Sequence, residues 1–262
     1  MTVLDFEKMK LEKRKISMVT CYDHWSAQVL NETTVDCLLV GDSLAMVMHG
    51  YPSTVMATVE MMELHVRAVA KGAPQKFIIA DMPFLTFRGE LKDALSCVSK
   101  LMQAGANAVK LEGVSGHEHI ITKIVNSGVP VMGHLGLTPQ SINGLGGFKV
   151  QGRDPKLAQE LLSHSKTLER LGCFSLVLEC IPSELARQVT LDVSIPTIGI
   201  GAGSEVDGQV LVLHDLLGFN KSFKPKFLRQ FMNGFEQVSV SVNHFDQAVK
   251  QGAYPNEDES YK

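Results

Sequence analysis

Long apolar runs are missing from this 262-residue chain, and that absence is the first constraint on what it does. No stretch approaches the ~20 apolar residues of a membrane-spanning helix. The opening "MTVLDFEKMKLEKRK" has neither the apolar core nor the small-residue cleavage site of a secretory signal. Cysteine is sparse and unpatterned. Cys21, Cys37, Cys97, Cys173 and Cys180 are odd in number and form no C-x-x-C pair, so reduced core thiols in a cytoplasmic protein are expected, rather than disulfides or a thiolate metal site. An excess of one charge is lacking too. With 25 Lys and Arg against 28 Asp and Glu, the net charge is −3 and the signs are interspersed. Neither nucleic acid nor a membrane surface is an expected partner.

What the chain does contain is alternation. Eight short apolar runs, at 15–23, 35–42, 76–83, 107–113, 129–136, 174–180, 195–203 and 208–218, have the character of strands covered on both faces. Between most of them lie amphipathic stretches with helix punctuation. Thr58 can cap a helix running to Gly72, and Leu91, Leu95, Val98 and Leu101 form a stripe that Gly105 ends. Segments 116–127, 155–171 and 182–190 are similar. Strands alternating with helices predict parallel βαβ units, and eight of them in this length predict an α/β fold of the (β/α)₈ TIM-barrel type. A single domain over 1–262 is expected, with a mobile polar tail from about 251 to 262.

Three places depart from the alternation. A long Gly-rich connection, "LTPQSINGLGGFKVQGRDP", follows the fifth run; it is read either as a closing lid or as an ordinary surface loop. Almost no helix fits between the seventh and eighth runs, where "GIGAG" reads as a tight turn in preference to a phosphate loop. The last predicted helix carries Phe227, Phe231, Phe235, Val238, Val242, Phe245 and Val249 at spacings of three and four, a stripe that should be buried against its own barrel or another subunit.

The chemistry is expected at the strand ends. In "NAVKLEG", Lys110 and Glu112 stand two apart and so share a face, while Val109 and Leu111 share the other. The second run ends at Asp42 and Ser43, the third at Asp81, the fifth carries His134 and the sixth ends at Glu179. Singly, each has an ordinary explanation as a cap, a buried ion pair or a hydrogen-bonded histidine. Together at one rim, they are too costly to desolvate without a function or a cation. Asp42, Asp81 and Glu112 offer hard oxygen ligands suited to Mg²⁺, and His134 keeps a softer divalent metal possible. Lys110 adds the fixed positive charge that an α-keto acid would pair with, which leaves Glu179 free to act as a base.

Taken together, "GDSLAMVMHGYPST", "NAVKLEG", "GHLGLTPQSINGLGGFKVQGR", "LVLEC" and "IGIGAG…DGQVLVLHDLLG" resemble the ketopantoate hydroxymethyltransferase family over roughly residues 3–250. The resemblance implies a TIM barrel, a divalent metal (usually Mg²⁺), and one-carbon transfer from 5,10-methylenetetrahydrofolate to 3-methyl-2-oxobutanoate. The product would be 2-dehydropantoate, on the way to pantothenate and coenzyme A. It implies Asp42, Asp81 and Glu112 as the metal group, and Asp42, Ser43, Asp81 and Lys110 as keto-acid contacts. His134 would line the substrate pocket and Glu179 would accept the proton. A cytoplasmic homodecamer of pentameric rings is the implied assembly. Ala45, where Gly is frequent, and Phe148, where Tyr is frequent, depart from the common pattern without touching a proposed charge.

Two rival readings share the same residues. A metal-dependent C–C lyase or mutase would use the same acids, but the loop "LTPQSINGLGGFKVQGR" and the Lys110–Glu112 pair argue against it. A non-catalytic keto-acid or metal sensor would have no need of Glu179.

Overall fold

A computed structural model describes residues 1–221 and 223–261. Lys262, the end of the expected tail, lies outside the described residues. The chain divides into two compact units, Met1–Leu211 and Val212–Lys262.

The first unit holds all eight strands: β1 (Ile16–Thr20), β2 (Cys37–Val40), β3 (Phe77–Asp81), β4 (Ala108–Glu112), β5 (Val131–Gly136), β6 (Ser175–Glu179), β7 (Thr197–Ile200) and β8 (Gly208–Leu211). They pair in parallel and in chain order, and β8 returns to β1, so the sheet is a closed barrel. Each predicted run contains its strand. The helices of this unit are α1 (Val3–Leu11), α2 (His24–Asn31), α3 (Leu44–Val47), α4 (Val59–Gly72), α5 (Leu91–Ala104), α6 (Glu118–Asn126), α7 (Ile142–Leu145), α8 (Pro155–Arg170) and α9 (Ser183–Asp192). Thr58 caps α4 by accepting from the Met61 N–H at 3.2 Å, and Gly105 ends α5 in the left-handed conformation. Residues 201–207 join β7 to β8 without a helix, as the sequence implies.

Strand periodicity places two layers inside the barrel. Its lower interior is apolar, built from Ile16, Met18, Cys37, Leu39, Phe77, Ile79, Ala108, Met132, Val177, Ile198 and Val210. Phe6 and Met9 of α1 join this cluster, and the Phe6 ring packs edge-on at 5.3 Å from Phe77 and 5.1 Å from Phe174. Phe77 begins β3 and Phe174 precedes β6, so α1 closes the N-terminal mouth. Advancing two residues from Ile79, Ala108, Met132 and Val177 reaches Asp81, Lys110, His134 and Glu179, and a further step from Lys110 reaches Glu112. The same inward-facing positions that are apolar low in the barrel are therefore ionisable at its C-terminal rim. Val109 and Leu111 point outward and are buried.

The second unit contains α10 (Leu213–Leu216) and α11 (Gly234–Lys250). Here the expected apolar helix is shorter than its stripe. Phe227 and Phe231 lie before α11, because the N–H groups of Phe231 and Gly234 bond to the carbonyls of Leu216 and Leu217 at 2.9 and 2.8 Å instead of winding into a helix. The remaining stripe is exposed, with Val242 at 59% and Phe245 at 57% of full accessibility. Residues 251–261 are exposed and form turns.

Candidate active site

The register of the barrel sets neighbouring charges side by side. Asp81 aligns with Lys110, Glu112 with His134, and Gly136 with Glu179. Lys110 Nζ lies 2.9 Å from Asp81 Oδ1 and 3.3 Å from His134 Nδ1. His134 Nδ1 also faces Glu112 Oε1 at 3.6 Å, and its Nε2 faces Glu179 Oε2 at 3.3 Å. Asp42 follows the end of β2, and its N–H donates to Asp81 Oδ2 at 3.1 Å. Five of these six groups are buried. Glu179 is the open one, with 19% of its side chain accessible.

Local sequence sets the base. Gly136 has φ +97°, and a Cβ there would lie 2.2 Å from the Glu179 carbonyl oxygen. The missing side chain lets the end of β5 cross close to the end of β6, where the Leu137 N–H donates to that same oxygen at 2.8 Å. Cys180, the next residue, takes φ +47° and accepts from the Gln151 N–H at 2.8 Å. The far end of the long loop is thus tied beside Glu179, while its Phe148 is exposed.

Electrostatics follow from burial and crowding. Burial, then repulsion from Asp81 and Glu112, holds the Asp42 carboxyl well above the ordinary range, against the opposing influence of Lys110 and Gln140. Burial lowers the Lys110 ammonium, but Asp81, Glu112 and Asp42 more than reverse it and hold the pKa above the usual lysine value. Burial works against ionised Glu112, yet His134, Lys110 and the Gln140 N–H hold its pKa below the ordinary value. Burial and Lys110 push the His134 imidazole down; its contacts with Glu112 and Glu179 outweigh both and hold it at about 9.

The predicted residues are thus brought together, with one qualification for each of two roles. Ser43 begins α3 and its hydroxyl pairs with the buried Tyr22 hydroxyl at 2.7 Å, to the side of the acids. The acids adjoin one another, but among the described residues no three His, Cys, Asp or Glu side chains are drawn into a ready ligand cluster. Lys110, His134 and Gln140 stand between them. The donor chemistry still fits a hard cation. Mg²⁺ commonly takes only one or two protein carboxylates and keeps water on the rest. Three crowded carboxylates, with burial and its neighbours opposing the charge on Asp42, gain from a cation placed among them. Asp81 Oδ1 is close to Lys110 but off the line of a hydrogen bond, so it keeps acceptor capacity.

Three participants were not anticipated. Tyr22 seats Ser43, Arg88 Nη2 donates to the Glu112 carbonyl at 3.0 Å, and Gln140 bridges Asp42 and Glu112. Gln140 sits in the quoted "TPQS", but no periodicity marks a loop residue as pointing inward.

Known proteins match this chain along nearly its whole length. The profile of the ketopantoate hydroxymethyltransferase family matches residues 1–257. A 3-methyl-2-oxobutanoate hydroxymethyltransferase of Coxiella burnetii (strain CbuG_Q212) is 56% identical over 257 residues, covering 98% of this chain and 97% of that one. The protein of the same name from Bdellovibrio bacteriovorus is 52% identical over 260 residues, covering 99% of each. Among solved structures, phosphonopyruvate hydrolase in complex with oxalate and Mg²⁺ superposes with a TM-score of 0.64 at 12% identity, covering 99% of this chain and 93% of that one. A 2,3-dimethylmalate lyase of the PEP mutase/isocitrate lyase superfamily gives 0.62 at 15% identity, covering 99% and 91%. At such identities these two share the fold alone. Identity above half across almost every position is a different matter, and on it the chain belongs to the ketopantoate hydroxymethyltransferase family, the hydroxymethyl-transferring enzymes.

Proposed function

We propose that this enzyme transfers the one-carbon unit of 5,10-methylenetetrahydrofolate to 3-methyl-2-oxobutanoate, giving 2-dehydropantoate for pantothenate synthesis. The observation that carries this reading is the placement of Glu179, open at the rim, across His134 from the buried acids and Lys110. A base is thereby held on one side of a space whose other side suits an anion and a cation.

Asp42, Asp81 and Glu112 would hold a divalent cation, Mg²⁺ by the hardness of the ligands. When bound, it supplies Lewis acidity toward a keto oxygen beside it. The remaining work belongs to the chain. Lys110 pairs with the negative charge of the keto acid, and Ser43, seated by Tyr22, adds a hydroxyl contact. Asp42, Asp81 and His134 line the same pocket. Glu179 takes the proton from the carbon next to the ketone, and His134 steadies its carboxylate through the 3.3 Å contact. That carbon then bonds to the folate-derived methylene carbon; one water supplies the hydroxyl oxygen of the product, both C–N bonds to that carbon break, and tetrahydrofolate leaves with the proton held by Glu179 and the remaining proton of the water on its two nitrogens. Burial of the acids and lysine keeps solvent from weakening these charges.

The assembly is read as a homodecamer of pentameric rings, and the exposed apolar stripe on α11 supports its side chains being covered by other copies. Five unpaired cysteines support a cytoplasmic setting. Among the described residues, no helix is long and apolar enough to cross a membrane.

One assay tests the reading. The purified enzyme should form 2-dehydropantoate from the two substrates with Mg²⁺ and lose that activity with a chelator. Product formed equally well in chelator would remove the metal from the proposal, and no product under any condition would overturn it.

A further inference from the structure

Gln140 touches all three strand ends that carry the acid trio. It lies in the turn Pro139–Ser141 and is buried. Its main-chain N–H donates to Glu112 Oε2 at 3.0 Å. Its side-chain Nε2 donates to Asp42 Oδ2 at 2.8 Å and to the carbonyl of Met82, the residue after Asp81, at 2.9 Å. Both of those partners are acceptors, so the amide can face them only through its nitrogen. The amide oxygen, Oε1, is left buried without a hydrogen-bond partner.

A group arranged this way fixes geometry. One residue sets the rotamers of Asp42 and Glu112 and their positions relative to the Asp81 strand end, and it does so from the turn that follows β5. Carboxylates that bind a cation are themselves held by such partners, whose loss typically weakens binding about 10- to 100-fold. Oε1 is the complementary half of the arrangement. A buried acceptor with nothing to accept is satisfied when a donor arrives with the ligand, and the waters of a hydrated divalent cation are donors of that kind.

We propose that Gln140 is the positioning residue of the cation site, clamping Asp42 and Glu112 by donation and receiving the cation's hydration shell at Oε1. This rests on the divalent-cation reading above. Gln140 need not touch either organic substrate, and its influence would pass through the carboxylates.

The test measures Mn²⁺ binding to substrate-free enzyme by calorimetry, beside thermal melting without metal. Wild type should bind one Mn²⁺ per subunit, and Gln140→Leu should bind it about 10- to 100-fold more weakly. The Mg²⁺ concentration for half-maximal turnover should rise by a similar factor, with kcat at saturating Mg²⁺ falling much less. A merely structural role would lower the metal-free melting temperature and leave the Mn²⁺ affinity unchanged; that result overturns the proposal. If Gln140→Leu does not fold, Gln140→Met, which keeps the unbranched shape, carries the same measurement, and failure of both to fold assigns Gln140 to the scaffold and overturns it. A wild type that binds no Mn²⁺ is a distinct outcome, since it removes the cation reading itself and this inference with it.

Discussion

His134 Nε2 stands 3.3 Å from Glu179 Oε2, and this contact joins the buried acid cluster to the open carboxylate at the rim. The imidazole is held at about 9 in the fold, against an ordinary value of 6.5. Its folded pKa is raised, so the stability it contributes is fully present below about pH 6.5 and is lost as pH rises through about 9. The difference in urea midpoint between wild type and His134→Gln should therefore shrink from pH 6 to pH 10. Curves that stay parallel across that range would show that His134 is neutral in the fold.

Glu179→Gln should keep the shape of the rim and remove the base. Keto-acid binding is expected to hold within a few-fold, while exchange of the substrate C–H proton in D₂O falls by about 10²- to 10⁴-fold. NMR of the free keto acid reads both. Exchange at the wild-type rate would remove Glu179 from the base role.

Lys110 and Asp81 form a buried pair, each about 5% accessible at the side chain. Removing one partner of such a pair strands the other charge, at a cost of about 3–5 kcal/mol. Lys110→Met should show that loss in urea unfolding at neutral pH without metal, and Mg²⁺ should restore part of it by replacing the missing positive charge. A loss below about 1 kcal/mol, the size expected of exposed pairs, would mean that water screens the site.

Gly136→Ala places a methyl group 2.2 Å from the Glu179 carbonyl oxygen at φ +97°. The backbone must give way where β5 and β6 meet, and overpacking with left-handed strain together should cost more than about 2 kcal/mol. The folded fraction of the variant should turn over substrate slowly, because Glu179 moves with its carbonyl. Melting temperature and kcat measured together check this; wild-type values for both would contradict the close crossing.

The barrel and most of its helices were legible because strand period and helix caps are local signals. The two-residue spacing puts Lys110 and Glu112 on one face, the apolar Val109 and Leu111 on the other claim the helix side, and the structure turns the charged pair inward. Gln140 and Tyr22 were not legible. Each reaches the site from a turn or the residues just after a strand, where side-chain direction depends on how the whole rim closes. The helix α1 is silent in the sequence for another reason. Its short apolar face consists of Phe6 and Met9, too few for a periodic signal, and it matters only because a barrel mouth is there to receive it. The stripe through Phe227 and Phe231 misled because spacing continued past the point where main-chain bonds to Leu216 and Leu217 stop the winding.

That small helix makes the barrel a cup with a floor. Phe6 rests on Phe77 at one end of β3, and Asp81 stands at the other end, about 13 Å away by the rise of the strand. Foundation and workshop occupy opposite ends of the same strand and share no side chain. Damage to the floor should drain stability and leave the chemistry intact, and its cost should simply add to any loss of stability caused at the rim.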